Sequence, residues 1–422
     1  MTPVERIPVT GLSQDLSELL KLHYAGALFC VAFGSAVSIV FSIAVSQILL
    51  GIGLALVLLG RPEVNFPPIR LPLALFFAAT VLADLLSGHP LTGLPQIRKF
   101  FVFGIVVLVS SAFRNAAQFR NLFLSWVGIA VLSAADGFVQ VLARRQEALR
   151  LNWNTYDYYL DDRIKGFAGH WMTFGGEQMI VLLILLSFLL FACPRGWRAL
   201  GWSCAAVLWI SLMLGLTRSI FLLGVPVGAL YLLWAFRPWT LALLPILALL
   251  SYVAMPFQVR ERVRSVIAPH GTLDSNTHRS ITRRTGWEMV KSHPWFGLGP
   301  EQIKPQFDAY VPAGIQRPLP KGWYGHLHNI YLQYAAERGV PALVFLLWMI
   351  GKMLMDFTRA LRSGALTQEY RYIVHGAIAV IGAVLAEGFF EYNLGDSEVL
   401  TMFLVVTTGA YASIRTGSGR CS

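Results

Sequence analysis

Long apolar runs recur along the chain, and they constrain its fold more than any other feature. Each run is about 17 to 22 residues long, which is the length an α-helix needs to cross ~30 Å of hydrocarbon. None alternates with the period of two that marks the strands of a membrane barrel. Hydrophobic residues make up 55% of the sequence and charged residues 14%, which is more apolar surface than a soluble core would bury. We therefore predict an all-α polytopic membrane protein.

A window of about 19 residues gives candidate membrane helices along the whole chain. The twelve candidates lie at 22–38, 43–60, 71–87, 96–113, 120–139, 174–192, 199–216, 219–236, 239–255, 329–351, 371–390 and 397–414. The first pair has no charged turn between its members, so only its length argues for a division near Ser38 to Ser46. The polar N-terminus lacks the regions of a signal peptide, and we expect the first span to stay in the mature protein.

The short loops predict the orientation. With the N-terminus inside, the inner loops and helix ends hold eleven basic residues: Arg61, Arg70, Arg114, Arg120, Arg195, Arg198, Arg237, Lys352, Arg359, Arg362 and Arg371. The short outer loops hold three: Arg98, Lys99 and Arg218. This excess predicts that both termini are cytoplasmic.

The same topology divides the chain into five segments. They are a cytoplasmic segment at 1–21, helices one to nine at 22–255 with an outer loop at 140–173, a large outer loop at 256–328, helices ten to twelve at 329–414, and a cytoplasmic tail at 415–422. Both long outer loops are basic. Long loops escape the positive-inside rule, so a neutral interpretation stays open. The functional interpretation is that their arginines collect a polyanion, since guanidinium binds phosphate in a bidentate manner. We do not expect nucleic acid at the outer face of a membrane bundle.

Three outer segments offer candidate anion-binding residues. A short helix beginning near Asn276 and ending at His293-Pro294 carries a stripe at spacing four. The stripe consists of Arg279, Arg283, Trp287 and Lys291. It fits either a diphosphate site or a solvated interfacial helix. Arg163 precedes another span in DDRIKGFAGHW. Arg218 sits between two apolar spans with almost no loop, where a charge is expected either to face a polar cavity or to snorkel.

His328 lies at the predicted outer mouth of the tenth span, next to Asn329, a plausible helix N-cap. The positive end of the helix dipole disfavours imidazolium there, so the ring is available as a general base. A loop histidine before an ordinary span is the alternative. Near the C-terminus, EGFFEYNLGDSE places Glu391 and Asp396 at the same side, where they can orient an arginine or a histidine, or cap a helix. The four cysteines show no metal-binding spacing and no disulfide framework.

Five stretches resemble the O-antigen ligase and polymerase superfamily, one of them FEYNLGDSEV near the C-terminus. HLHNIYLQYAAERGVPALVFLL resembles the family's H-N-x-Y/F-L signature, and RRTGWEMVKSHPWFGLGP resembles its R-x-x-x-W…P-x-x-G-x-G segment. RIKGFAGHWMTFGG and LTRSIFLLGVPVG are similar to its two other arginine segments. Twelve spans with a large periplasmic loop after the ninth are usual in this family. Pro341 stands where the family often has glycine.

The resemblance implies a glycosyltransferase of the bacterial inner membrane that is inverting and needs neither metal nor cofactor. Its donor would be a glycan on undecaprenyl diphosphate, and its acceptor lipid A-core or a growing polysaccharide. His328 would be catalytic, and the diphosphate would be held by Arg163, Arg218, Arg283 and Arg284. Supporting residues would be His326, Asn329, Arg98, Lys99, Trp287, Glu391 and Asp396.

Several functions remain open on the sequence. Ligase, polymerase and protein glycosylation share one fold and differ in the acceptor, and we favour the ligase. From another class, a twelve-span secondary transporter predicts internal repeats and polar groups at mid-membrane. No repeat between the halves is visible, and the ionisable residues gather at the outer helix ends.

Overall fold

The computed structural model describes residues 9–268, 276–320 and 322–418. These ranges contain helices and no β-strand, so the predicted all-α fold is confirmed for them. Parts of the predicted segments 1–21 and 415–422 lie outside the described residues.

Seventeen α-helices make up the described chain. In order they are α1 (Val9–Ser38), α2 (Ile43–Gly60), α3 (Arg70–Leu86), α4 (Pro90–Arg98), α5 (Gly104–Ala112), α6 (Ala116–Arg150), α7 (Thr155–Asp161), α8 (Trp171–Phe191), α9 (Arg198–Leu214), α10 (Val225–Phe236), α11 (Leu243–Ala254), α12 (Phe257–Arg264), α13 (Asn276–Ser292), α14 (Ile303–Gln306), α15 (Ile330–Arg362), α16 (Gln368–Glu387) and α17 (Ser397–Ser418). A π-helical turn at Ile220–Gly224 leads into α10.

Eight helical segments of the described chain are long and apolar enough to cross a membrane. They are Ile43–Gly60, Pro90–Ala112, Ala116–Arg150, Trp171–Phe191, Arg195–Leu214, Ile330–Arg362, Gln368–Glu387 and Ser397–Gly417. Shorter apolar helices cover Ile220–Phe236 and Pro238–Ala254. Each of the twelve predicted spans falls on helical chain, whereas the number of crossings and the side on which loop 256–328 lies stay predictions. Helices α6 and α15 continue past their predicted ends, because a hydropathy window registers apolar residues and misses polar helical turns.

The centre of the bundle is formed by α8, α16 and α17. In these three helices 83%, 72% and 78% of the span is buried, against 22% in α2, so they pack on protein rather than on lipid. Helix α16 contacts both α8 and α17, while α3 packs along α15. Helix α11 has no buried residue and lies at the periphery. The central position of α16 matters for the site, because the turn after it contacts the start of α15.

Helix α15 is interrupted at Gly339, whose φ of 82° and ψ of 162° are not helical. The preceding loop docks onto this interruption through three backbone hydrogen bonds: Leu298 N–H to Ala336 O at 2.8 Å, Gly299 N–H to Glu337 O at 2.9 Å and Val340 N–H to Pro294 O at 2.8 Å. These bonds supply partners to backbone carbonyl and N–H groups that have no helical hydrogen bond at the interruption. A Cβ on Gly339 would lie 2.0 Å from Trp295 O, so the glycine is required by the close approach. The HPWFGLGP and ERGVP stretches thus hold the large loop against α15.

Candidate active site

The start of α15 fixes the position of His328. Asn329 caps the helix as predicted, with its Oδ1 accepting from Leu332 N–H at 2.9 Å. Its Nδ2 donates to Phe389 O at 3.0 Å, which ties this helix start to the turn that follows α16. His328 has a φ of 49°, in the left-handed region that a residue with a Cβ seldom adopts. The backbone therefore turns sharply, and the imidazole faces the turn after α16.

Glu391 in that turn contacts both His328 and Arg279. Its Oε2 lies 3.3 Å from His328 Nδ1, and its Oε1 accepts from Arg279 Nη2. Burial raises the pKa of the Glu391 carboxyl, but Arg279 and then His328 more than reverse this effect, and the pKa lies at about 2. Glu391 is therefore ionised at neutral pH and accepts from His328 Nδ1–H. A carboxylate on one ring nitrogen orients the ring and leaves the other nitrogen as an acceptor.

The second ring nitrogen of His328 is available for chemistry. Among the described residues, His328 Nε2 is buried and has no hydrogen-bond partner, and the side chain is 10% exposed. Buried polar atoms normally have partners, so an unpaired one on a residue beside a cleft marks a place where a ligand can bind. The cleft beside His328 is described below. Because Nδ1–H donates to the Glu391 carboxylate, Nε2 carries the free lone pair that a general base needs.

Two further histidines surround His328. The His326 ring lies 4.1 Å and the His278 ring 5.3 Å from it, centre to centre. Burial, and then His328, lower the pKa of His326 to about 3 and that of His278 to about 4, so both rings are neutral at pH 7. Neither lines the cleft described next. In the described ranges no group of three or more His, Cys, Asp or Glu side chains is arranged to hold a metal ion.

His328 opens onto a cleft of about 400 Å³. We call this the arginine cleft; its lining is Arg218, Ser219, Leu222, Leu223, Val266, Asn276, Arg279, Ser280, Arg283, Leu327, His328, Asn329, Phe389 and Phe390. Three arginines line it, and none of these lining residues is acidic. Leu222, Phe389 and Phe390 are 39%, 57% and 43% exposed, so one wall presents apolar side chains to the surroundings. The cleft therefore suits a ligand that joins an anionic group to a lipid chain.

Two residues of the 256–328 loop hold Arg218 in place. Its Nη1 donates to Ser265 Oγ at 3.1 Å and its Nη2 to Asn276 Oδ1 at 2.6 Å. The residue is 8% exposed and lies between α9 and the π-helical turn. The predicted polar cavity for this arginine is the arginine cleft.

Arg163, in the 140–173 loop, does not line the arginine cleft but lies within electrostatic range of Arg218 and Arg279. Its guanidinium lies 5.3 Å from the Trp171 ring centre. Burial lowers the pKa of Arg163 to about 9, and the positive charges of Arg262 and Arg279 act in the same direction. Charges of one sign are thus concentrated around Glu391, which favours an anionic ligand.

The other predicted site residues do not line the arginine cleft. Arg284 and Trp287 are exposed on α13, whereas Arg283 reaches the cleft. Lys99 donates to Gly395 O. Arg98 is exposed at the end of α4, and Asp396 accepts from Thr173. A helical stripe at spacing four spreads around the helix over several turns, so only its first members face the cleft.

Residues 203–347 match the family model for O-Antigen ligase. The match covers about a third of the chain. This finding confirms the resemblance to the O-antigen ligase superfamily and supports a glycan-transferring enzyme with several membrane helices. The matched range includes Arg218, Arg279, Arg283 and His328, while Arg163 and Glu391 lie outside it. No curated protein matches the chain.

Arg262 also lies in the matched range, and its positive charge acts on Arg163, although the sequence offered it only as one of many basic loop residues. It is 2% exposed, and its Nε donates to Leu216 O at 3.2 Å. Arg279 was visible as the first member of the stripe on α13, but its partnership with Glu391 joins residues 112 positions apart. No local pattern marks such a pair.

Proposed function

We propose that this protein transfers a glycan from undecaprenyl diphosphate to an acceptor hydroxyl at the periplasmic face of the bacterial inner membrane, with lipid A-core as the acceptor. The observation that carries the proposal is the unpaired Nε2 of His328, a residue that lines a cleft together with Arg218, Arg279 and Arg283. Both termini would be cytoplasmic. The match of residues 203–347 to O-Antigen ligase supports the reaction class.

The proposed reaction is a single displacement with inversion. The acceptor hydroxyl gives its proton to His328 Nε2 while its oxygen attacks the anomeric carbon, and the bond from that carbon to the diphosphate oxygen breaks. Negative charge then grows on the lipid diphosphate. Arg218, Arg279 and Arg283 stabilise this charge in place, so the step requires no metal. Glu391 holds the imidazole in the required tautomer and stabilises the imidazolium that forms.

The apolar wall of the arginine cleft would admit the isoprenoid chain. Leu222, Phe389 and Phe390 stand beside the arginines, so a lipid diphosphate can bind with its head on the guanidinium groups and its tail toward the membrane. The exposed Trp323 offers a stacking surface for the sugars, and its ring centre lies 4.5 Å from Lys304 Nζ.

Reconstitution tests the proposal. The purified chain in vesicles is incubated with a glycan on undecaprenyl diphosphate and with lipid A-core, and the product is separated on a gel. We expect glycan-capped lipid A-core with inverted anomeric configuration. His293→Ala, which removes an exposed histidine of the same loop, serves as the matched control for His328→Ala. Unchanged transfer by the His328 variant would remove it from the mechanism.

The acceptor is tested separately, by complementation. Restored capping in a strain that lacks its ligase supports the ligase. If the protein instead restores only the length of the polysaccharide, in a strain that lacks its polymerase, it is a polymerase. Movement of a lipid-linked glycan across the vesicle membrane without bond formation would indicate a transporter.

A further inference from the structure

A second cleft lies at the opposite end of α15 from His328. We call it the distal cleft; its volume is about 620 Å³, and its lining is Val64, Asn65, Phe66, Pro67, Pro68, Arg70, Ser110, Asp356, Arg359, Ala360, Ser363, Ala365, Leu366, Tyr411, Ala412, Ile414 and Arg415. It is bounded by the start of α3 and by the ends of α5, α15 and α17. The excess of basic residues in the short loops predicts that this end is cytoplasmic.

The distal cleft carries an excess of positive charge. Arg70, Arg359 and Arg415 line it, and none of them forms an ion pair in the described part of the chain. Asp356 is the one acidic residue of the lining, and it is already engaged: it accepts from Lys352 Nζ at 2.9 Å and from Tyr411 Oη at 2.8 Å. The arginines are therefore left without a counter-charge from the cleft itself.

A nearby acid reduces this excess without removing it. Glu63 acts electrostatically on Arg415. The three arginines and Lys352 oppose Asp356 and Glu63, which leaves two positive charges. The positive-inside rule accounts for arginines at these helix ends, as for Arg362, which lies outside the cleft. The rule does not require three of them to converge on one cavity.

The remaining lining is apolar. Phe66, Pro67, Leu366 and Ile414 form walls beside the guanidinium groups, and Arg70 lies 5.6 Å from the Phe66 ring centre. A phosphate ester attached to apolar chains satisfies both kinds of surface, because basic pockets between membrane helices bind anionic head groups. We propose that the distal cleft binds the phosphate head group of an anionic phospholipid from the adjacent leaflet.

The test uses the purified full chain in a neutral detergent and needs no glycan transfer. The thermal unfolding midpoint is followed as cardiolipin, phosphatidylglycerol, phosphatidylcholine or inorganic phosphate is added. We expect the two anionic lipids to raise the midpoint. The double variant Arg359→Gln/Arg415→Gln should need at least about tenfold more anionic lipid for the same shift. The control Arg362→Gln should respond as the wild-type chain does.

Three outcomes would overturn the proposal. An equal response to phosphatidylcholine would show a general lipid effect. The full shift with inorganic phosphate alone would identify a soluble phosphate as the ligand. An unchanged response in the double variant, with both variants monodisperse and folded, would place lipid binding elsewhere. Retention of cardiolipin by the wild-type chain and its loss from the double variant, read by native mass spectrometry, would support the proposal independently of the unfolding curves.

Discussion

Replacing Glu391 by glutamine removes the charge that joins His328 to Arg279 and keeps the shape of the side chain. The carboxylate is 2% exposed, and its pKa lies at about 2 against an ordinary value of 4.5. At 1.36 kcal/mol per pKa unit, the surroundings favour the ionised form over the neutral one by about 3 kcal/mol. Glu391→Gln should therefore lower the free energy of unfolding by a few kcal/mol at pH 7, since it leaves Arg279 beside other positive charges.

The sign of the pH dependence follows from the lowered pKa. The stabilisation from Glu391 is fully present above its unfolded pKa of about 4.5 and is lost as the pH falls through about 2. The deficit of the glutamine variant should thus be constant between about pH 8 and pH 5 and should shrink only in stronger acid. Thermal unfolding of wild-type and variant chains across this range measures the difference.

The effect of Glu391→Gln on catalysis separates the orientation of the His328 imidazole from the binding of the lipid-linked donor. Without the carboxylate, His328 loses the group that fixes its tautomer, and kcat should fall about a hundredfold. Arg279 is released toward the cleft, so the KM for the lipid-linked donor should change little. Glu387→Gln is the matched control, since its buried carboxyl is held by Asn393 Nδ2 at 2.7 Å. An undiminished kcat in Glu391→Gln, or a loss equally large in Glu387→Gln, would refute the reasoning.

Three further substitutions have distinct expected outcomes. Arg283→Gln should raise the donor KM about tenfold without changing stability, because the side chain is exposed and lines the cleft. In the same transfer assay, the donor KM of Arg284→Gln should stay within about twofold of the wild-type value. Arg163→Gln should raise the free energy of unfolding by on the order of 1 kcal/mol after discounting for solvent screening, because its charge is partly buried among others of the same sign. It should also weaken donor binding. Gly339→Ala should prevent stable folding, because its Cβ would meet Trp295 O, and the readout is loss of monodisperse protein. Gly351→Ala should be tolerated, because there is open space around that position.

The helices were largely predictable from the sequence. Membrane crossing demands apolar runs of a set length, so each predicted span falls on helical chain, and α2 has the predicted bounds at 43–60. The N-cap at Asn329 was visible from its residue type and place. The polar ends of α6 and α15 were missed, because hydropathy does not report helix that extends beyond the apolar stretch.

The candidate site was predictable only in part. Arg218 and His328 stand out as polar residues beside apolar spans, and Arg283 as part of the stripe on α13; all three line one cleft. The contact of Glu391 with His328 depends on how the turn after α16 packs against α15, which no local pattern contains. The interruption at Gly339 is likewise set by a docked loop rather than by the composition of the helix. Lys99, predicted beside the site, instead donates to Gly395 O.

The most direct test of the proposed mechanism is the transfer rate of His328→Ala with saturating lipid-linked donor, measured beside its donor affinity. The arginine cleft is intact in this variant, so donor affinity should stay within about threefold, while the rate should fall by about a hundredfold or more. Transfer at the wild-type rate would contradict the role of His328 as the base. A loss that arises entirely from weaker donor binding would contradict it as well.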